Sequence, residues 1–265
     1  MEIGASSACF YPLETEKAFE RIAGLGFRHS EIFFNSPSEL DSSFLNGLKA
    51  ISRACGTGIT SLHPYTSFAE GYILFSGYKR RFNDGLELYK RYFNAASVLG
   101  AEHIVLHGAK ALREISAEEY AERFAKLNEA AKSFGCTVAH ENVVNFVGQT
   151  PEFMKIMKKH IGDDFKMVLD IKQARRTGVD PLCFIEAMGS SIVHVHLSDF
   201  NNGCDCLPPC EKGSFDFEAL FKALDKVGFD GKCMIELYSD NFSSEAEITD
   251  AAKYLEGILN KIKQG

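Results

Sequence analysis

The chain lacks any run of 18 consecutive apolar residues, so no membrane-spanning helix is expected. Basic charge is in deficit. The net charge is −7 and the densest basic cluster is Lys79-Arg80-Arg81, so a nucleic-acid partner is not expected. The chain begins Met1-Glu2-Ile3-Gly4, without a basic segment leading into an apolar run. A secretory signal is therefore not expected, and a cytoplasmic location is. Low-complexity tracts and linkers are missing too. So is the glycine-rich phosphate fingerprint that follows the first strand of a dinucleotide-binding sheet.

Cysteine, by contrast, is present eight times. An even count invites disulfides. However, Cys9, Cys136 and Cys233 lie in apolar or strand-like contexts, and a chain this long needs no covalent staples. Reduced thiols are expected. The cluster Cys204-Asp205-Cys206-Leu207-Pro208-Pro209-Cys210 could hold a metal. It lacks a fourth nearby partner, and a plain loop is the better reading.

What is there alternates. Strand-like segments near 2–6, 29–34, 58–63 and 103–107 are separated by helix-like patterns near 13–25, 38–55 and 77–99. A fourth helix, about 116–135, opens with Ser116 and has Glu119 three residues on, a capping-box pattern. Four further strands end at Glu141, Asp170, His196 and Glu236, and a last helix covers about 244–262. Glycines at Gly26, Gly100, Gly135 and Gly228 fit the left-handed position that ends a helix. Eight strand–helix units without a linker predict one closed parallel barrel, a (β/α)8 TIM barrel forming a single domain over residues 1–265. Two loops look extended, 64–76 and 198–214, as lids or substrate walls do.

Ligands of such a barrel bind at the C-terminal strand ends. The polar residues there are Glu31, His63, His107, Glu141, Asp170, His196 and Glu236. The last four are 29, 26 and 40 residues apart, about the length of a strand, a helix and two loops. Three carboxylates and one imidazole converging there would form a site for one divalent cation, because carboxylates buried together without a cation are costly. Oxygen-rich ligation with one imidazole suits manganese, cobalt or magnesium; zinc and iron also fit. His194, with one residue between it and His196, is assigned to the opposite strand face, as packing rather than a ligand.

A set of segments carries a resemblance. They are Gly26-Phe27 with Glu31, Ser61-Leu62-His63-Pro64, Val105-Leu106-His107-Gly108, His140-Glu141-Asn142, Val168-Leu169-Asp170, His194-Val195-His196-Leu197-Ser198-Asp199, Gly213-Ser214-Phe215-Asp216-Phe217 and Ile235-Glu236. In this order they resemble the xylose-isomerase-like barrels, which include sugar and sugar-phosphate isomerases and epimerases and metal-dependent AP endonucleases. The resemblance implies a mononuclear metal held by Glu141, Asp170, His196 and Glu236, with Glu141 and Glu236 exchanging protons on opposite faces of a sugar. The chemistry is self-consistent. A cation chelated by a carbonyl and its neighbouring hydroxyl stabilises an enediolate; one carboxylate removes the proton and the other returns it. Glu31, His63, His107, Gln173, Lys172 and Arg175 are the expected substrate contacts, with Lys172, Arg175 and Arg176 suited to a phosphate or carboxylate.

The chain departs from its relatives in places. Gln173 stands where many have a histidine three residues after the strand-six aspartate, and Asn202 stands where ketose epimerases have an arginine. The Asp-x-His of the endonucleases is replaced by Asp205-Cys206-Leu207. The expected function is a metal-dependent isomerase or epimerase of a small sugar, sugar phosphate or polyol ketone. An inosose-type dehydratase, an AP-endonuclease-like phosphodiesterase and a non-catalytic sugar-binding barrel are the alternatives. The expected partner is a small carbohydrate, and homo-oligomerisation is left open.

Overall fold

A computed structural model of the protein describes residues 1–264. Its eight strands are β1 (Glu2–Ser6), β2 (His29–Phe33), β3 (Gly58–His63), β4 (His103–Leu106), β5 (Thr137–Glu141), β6 (Lys166–Asp170), β7 (Ile192–Leu197) and β8 (Lys232–Ile235). They pair in sequence order, all parallel, and β8 returns to β1 to close the barrel. The strands are short and, past their first residue, largely buried on both faces, as parallel strands under a helical layer must be. The sequence-predicted TIM barrel is therefore the observed fold.

The outer layer is α1 (Thr15–Gly24), α2 (Ser42–Cys55), α3 (Glu70–Ile73), α4 (Lys79–Leu99), α5 (Ala117–Lys132), α6 (Pro151–Ile161), α7 (Ile171–Arg176), α8 (Pro181–Met188), α9 (Phe217–Lys226) and α10 (Glu245–Gln264). None is long and apolar enough to cross a membrane. The Ser116 side chain accepts from the Glu119 amide and starts α5, as its sequence predicts. Gly26, Gly100, Gly135 and Gly228 have φ of 85°, 79°, 81° and 74°, the left-handed conformation that closes a helix.

The core divides in two. Most buried apolar side chains lie between strands and helices. A smaller group, Val105, Ala139 and Val168 with half-buried Val193, fills the barrel interior. Side chains alternate across each strand, so Ala139 and Glu141 share the inward face of β5, and Val168 and Asp170 that of β6. On β5 and β6 the polar strand ends thus stand above apolar side chains.

Both expected loops carry local order. The segment after β3 holds a short turn (Ser67–Ala69) and α3. The segment after β7 is pinned by an antiparallel bridge between Asp199 and Leu207. The buried Asp199 carboxylate also accepts from the amides of Phe200, Ser214 and Phe215. Gly213 faces that carboxylate so closely that any Cβ would collide with it.

Candidate metal centre

Glu141 and Asp170 are the last residues of β5 and β6, His196 is the penultimate residue of β7, and Glu236 directly follows β8. Glu236 is held in line by its amide, which donates to the Leu197 carbonyl at 3.0 Å. Asp170 is fixed twice. Its Oδ1 accepts from the Gln173 amide and caps α7, while its backbone exchanges two hydrogen bonds with the Asn142 amide, at 2.7 and 2.9 Å. The structure brings the four side chains together, each offering one donor atom within 4.8 Å of the others. Glu141, Asp170 and His196 are buried and Glu236 is half-buried at the mouth.

The donors do not satisfy one another. His196 Nδ1 and Glu236 Oε2 lie 2.7 Å apart, yet neither is aligned for a hydrogen bond, and both are buried without a partner. Glu141 Oε2 is a third such atom. Glu141 Oε1 stands 3.5 Å and Asp170 Oδ2 3.8 Å from the same Nδ1. On the far side of the ring, Nε2 is 3.2 Å from Glu31 Oε2. A carboxylate only accepts, so Nε2 carries the proton and Nδ1 can turn its lone pair into the cluster. Orphaned buried donors of this type, converging on one point, fit a divalent cation.

Charge is arranged to match. Burial pushes the Glu141 pKa up, but the His107 and His196 rings outweigh it and hold the carboxyl well below its usual range. Burial likewise opposes ionisation of Glu236, and the Lys172 ammonium and His196 lower it to about 2. For His196, burial favours the neutral ring, but the charges of Glu236 and Glu31 prevail and raise its pKa well above 6.5. The two glutamates thus present negative charge to the His196 ring, and a metal ion bound at Nδ1 would take the place of a proton there.

The remaining expected residues take different places. Glu31 is fully buried behind His196 and accepts from Ser6 and Ser61, so it braces the imidazole rather than facing a substrate. His194 does not point to the opposite face of β7. Residues two apart share a face, and His194 Nε2 approaches the same Glu31 oxygen at 3.1 Å, beside His196. His63 and His107 line the opposite flank: their Nε2 atoms are 2.9 Å apart, and His107 Nε2 is 2.9 Å from Glu141 Oε2. Lys172 is buried, with its ammonium 3.6 Å from Asp170 and 3.7 Å from Glu236. Gln173 is turned aside, its Oε1 accepting from the Val144 amide. Arg175 is exposed and covers the Phe200 ring at 3.4 Å, and Arg176 pairs with Asp205 and Tyr238. All eight cysteines are free thiols; Cys206 is buried with its Sγ near the Glu236 carbonyl, whereas Cys210 is exposed.

Some residues of the site left little trace in the sequence. Ser61 could have been found, since it is two residues before His63 and so shares its face. Glu70 could not. Its carboxylate is fully buried, accepting from Tyr89 and from the Gly108 amide, and so ties α3 to the turn after His107. In sequence it looks like any surface glutamate of a loop.

Comparison with known proteins agrees with this architecture. Residues 19–258 match the family model described as xylose isomerase-like TIM barrel. An uncharacterised protein of Mycobacterium leprae is 25% identical, covering 93% of this chain and 92% of its own. One from Methanocaldococcus jannaschii is 24% identical, covering 100% and 92%. Among solved structures, a D-tagatose 3-epimerase-like protein superposes with a TM-score of 0.81 at 23% identity, covering 100% of this chain and 99% of its own. D-psicose 3-epimerase from Clostridium cellulolyticum H10 gives 0.78 at 18%, with the same coverage. The 3-keto-D-glucoside 4-epimerase of E. coli gives 0.74 at 18%, covering 97% and 99%. With a family model matching most of its length, the chain belongs to the xylose isomerase-like TIM-barrel family.

Proposed function

We propose that the protein is a divalent-metal-dependent isomerase or epimerase of a small carbohydrate, moving a proton between carbon atoms with Glu141 and Glu236. The observation that carries this reading is the misaligned 2.7 Å approach of His196 Nδ1 to Glu236 Oε2, inside a cluster completed by Glu141 and Asp170. Glu141, Asp170, His196 and Glu236 would hold the cation, with manganese, cobalt or magnesium favoured by the oxygen-rich set. When bound, it supplies Lewis-acid stabilisation of negative charge on the substrate oxygens.

The chain's own residues do the rest. Both glutamates are held ionised, so each can accept a proton from a carbon next to a carbonyl. β5 and β8 are three strands apart in an eight-strand ring, so the two carboxylates reach a bound sugar from different sides. One base cannot serve both faces of a planar intermediate, whereas two on separate strands can. His107, whose Nε2 stands 2.9 Å from Glu141 Oε2 on the flank, can bond a substrate hydroxyl. The structural neighbours named as ketose 3-epimerases and a 3-keto-glucoside 4-epimerase support this class.

Incubation with ketoses, ketose phosphates, inososes and keto-glycosides in heavy water tests the proposal. Deuterium should enter one carbon of a ketose or keto-glycoside with conversion to an isomer or epimer. Loss of water from an inosose instead would identify a dehydratase, and deuterium in none of the panel would refute the proposal.

A second reading rests on one observation. His63, His107 and Glu141 also offer donors within 4.8 Å of one another, so Glu141 could bridge two cations, as a phosphodiesterase would require.

A further inference from the structure

Beside the metal centre, and sharing Glu236 with it, lies a cavity of about 460 Å³. Its walls come from β2 and the segments after β1, β2, β3 and β8, and six of the fifteen lining residues are aromatic: Tyr11, Phe33, Phe34, Tyr65, Phe68 and Tyr238. Several of these rings are held in place from behind. Phe33 stacks on His63 with centroids 4.3 Å apart, Tyr65 packs on Tyr92 at 5.7 Å, and the Tyr238 hydroxyl accepts from Arg176 at 3.0 Å. At the rim, Phe68 and Tyr11 are 80% and 60% exposed, so their rings border the entrance rather than the core.

Charge separates the candidate occupants. Among the described residues, Glu236 is the one charged group in these walls; lysine, arginine and histidine are missing. Lys172, whose ammonium touches the Tyr238 ring at 4.9 Å, is committed to the carboxylates of Asp170 and Glu236. A phosphate dianion in this cavity would meet a carboxylate and find no counter-charge. The CH faces of a sugar ring, or an apolar aglycone, would instead meet aromatic faces. The cavity is also within the range of about 300–1,000 Å³ that encloses drug-sized ligands, larger than two reacting carbons and their neighbours require.

We infer that the substrate is an uncharged glycoside with a ketone on its reacting ring, that ring at the metal centre and its second ring or aglycone in the cavity between Tyr11, Tyr65 and Phe68. This deepens the proposed function, since it rests on Glu236 belonging to the reacting site. A basic binding subsite for a phosphate ester is excluded by the same walls.

Calorimetric titration of the Mn²⁺-loaded protein with phenyl β-D-glucopyranoside, methyl β-D-glucopyranoside and glucose 6-phosphate tests the inference. The phenyl glycoside should bind about tenfold more tightly than the methyl glycoside, the scale of one or two aromatic contacts, and the phosphate ester most weakly. Phe68→Ala and Tyr11→Ala remove exposed rings, so the fold is untouched, and each should erase most of that preference. Tightest binding by glucose 6-phosphate would overturn the inference, and so would a phenyl preference unchanged in both variants. Size-exclusion chromatography of the same variants adds a third arm: a change of oligomeric state with unchanged glycoside binding makes the rim a subunit contact and overturns it too. The two proposals fail separately. Turnover of free ketoses without any aglycone preference sinks this one alone, and aglycone-dependent binding without deuterium incorporation sinks the proton transfer alone.

Discussion

Glu31 Oε2 lies 3.2 Å from His196 Nε2, a fully buried carboxylate braced against the one imidazole of the quartet. Two serines complete its shell, Ser61 at 2.8 Å and Ser6 at 3.2 Å. A carboxylate in this position fixes the ring's orientation and tautomer and raises its basicity. Glu31→Gln keeps the size and one accepting oxygen but removes the charge, and its amide NH₂, a donor, faces the protonated Nε2 and the two serines less favourably than a carboxylate does. Metal affinity should fall by about 10- to 100-fold, read by calorimetric titration with Mn²⁺. An unchanged affinity would show that the imidazole is positioned by packing alone.

Metal stoichiometry separates the two readings of the site. Purified protein reconstituted and desalted should retain one divalent ion per chain by elemental analysis. His63→Ala and His107→Ala should leave that count unchanged, because neither belongs to the quartet. A count of two in the parent that drops to one in both variants would favour the bridged site and the phosphodiesterase.

Much of this was legible beforehand, for one physical reason. A parallel barrel repeats a strand and a helix, and its active face collects strand ends, so the register of Glu141, Asp170, His196 and Glu236 could be read from spacing alone. Helix starts and stops were legible at Ser116 and at Gly26, Gly100, Gly135 and Gly228, where local chemistry decides the backbone. Roles that depend on depth were not. Glu31 ends up beneath the site because β2 carries it on the inward face below the rim, and sequence shows the face but not the layer. His194 shares the face of His196, because the pleat repeats every two residues and not every one. Lys172 and Arg175 are three apart on one short helix, yet one is buried against the quartet and the other lies over Phe200 in solvent. Only the tertiary contacts of α7 separate them.

The paired glutamates make the sharpest kinetic prediction. Glu141→Gln and Glu236→Gln each retain an oxygen donor and lose the proton acceptor. Both variants should still bind Mn²⁺, more weakly than the parent, and turnover on the substrate found in heavy water should drop by about 10² or more. One of the two should still wash a substrate proton into solvent without completing conversion, since the remaining glutamate serves one face. Near-parental rates in both, with metal bound, would leave them as ligands only.

Glu70 gives a pH dependence with a definite sign. Burial raises its pKa from 4.5 to about 7, against the lowering effects of His107, Tyr89 and the Gly108 amide. The folded chain therefore keeps a proton that the unfolded chain releases above about 4.5. Wherever the native state binds more protons, stability falls as pH rises, so the loss runs from about pH 4.5 to about pH 7 and then levels off. The full effect is on the order of 3 kcal/mol, at 1.36 kcal/mol per unit. Glu70→Gln does not titrate. It also weakens the bonds to Tyr89 and Gly108, a pH-independent penalty of about 1–3 kcal/mol. Urea unfolding of both proteins at about pH 5 and about pH 8 separates the two terms. The variant should be the less stable at the lower pH and should close or reverse that gap at the higher. A gap of constant size would mean that Glu70 is ionised throughout, with its charge already matched by the donors around it.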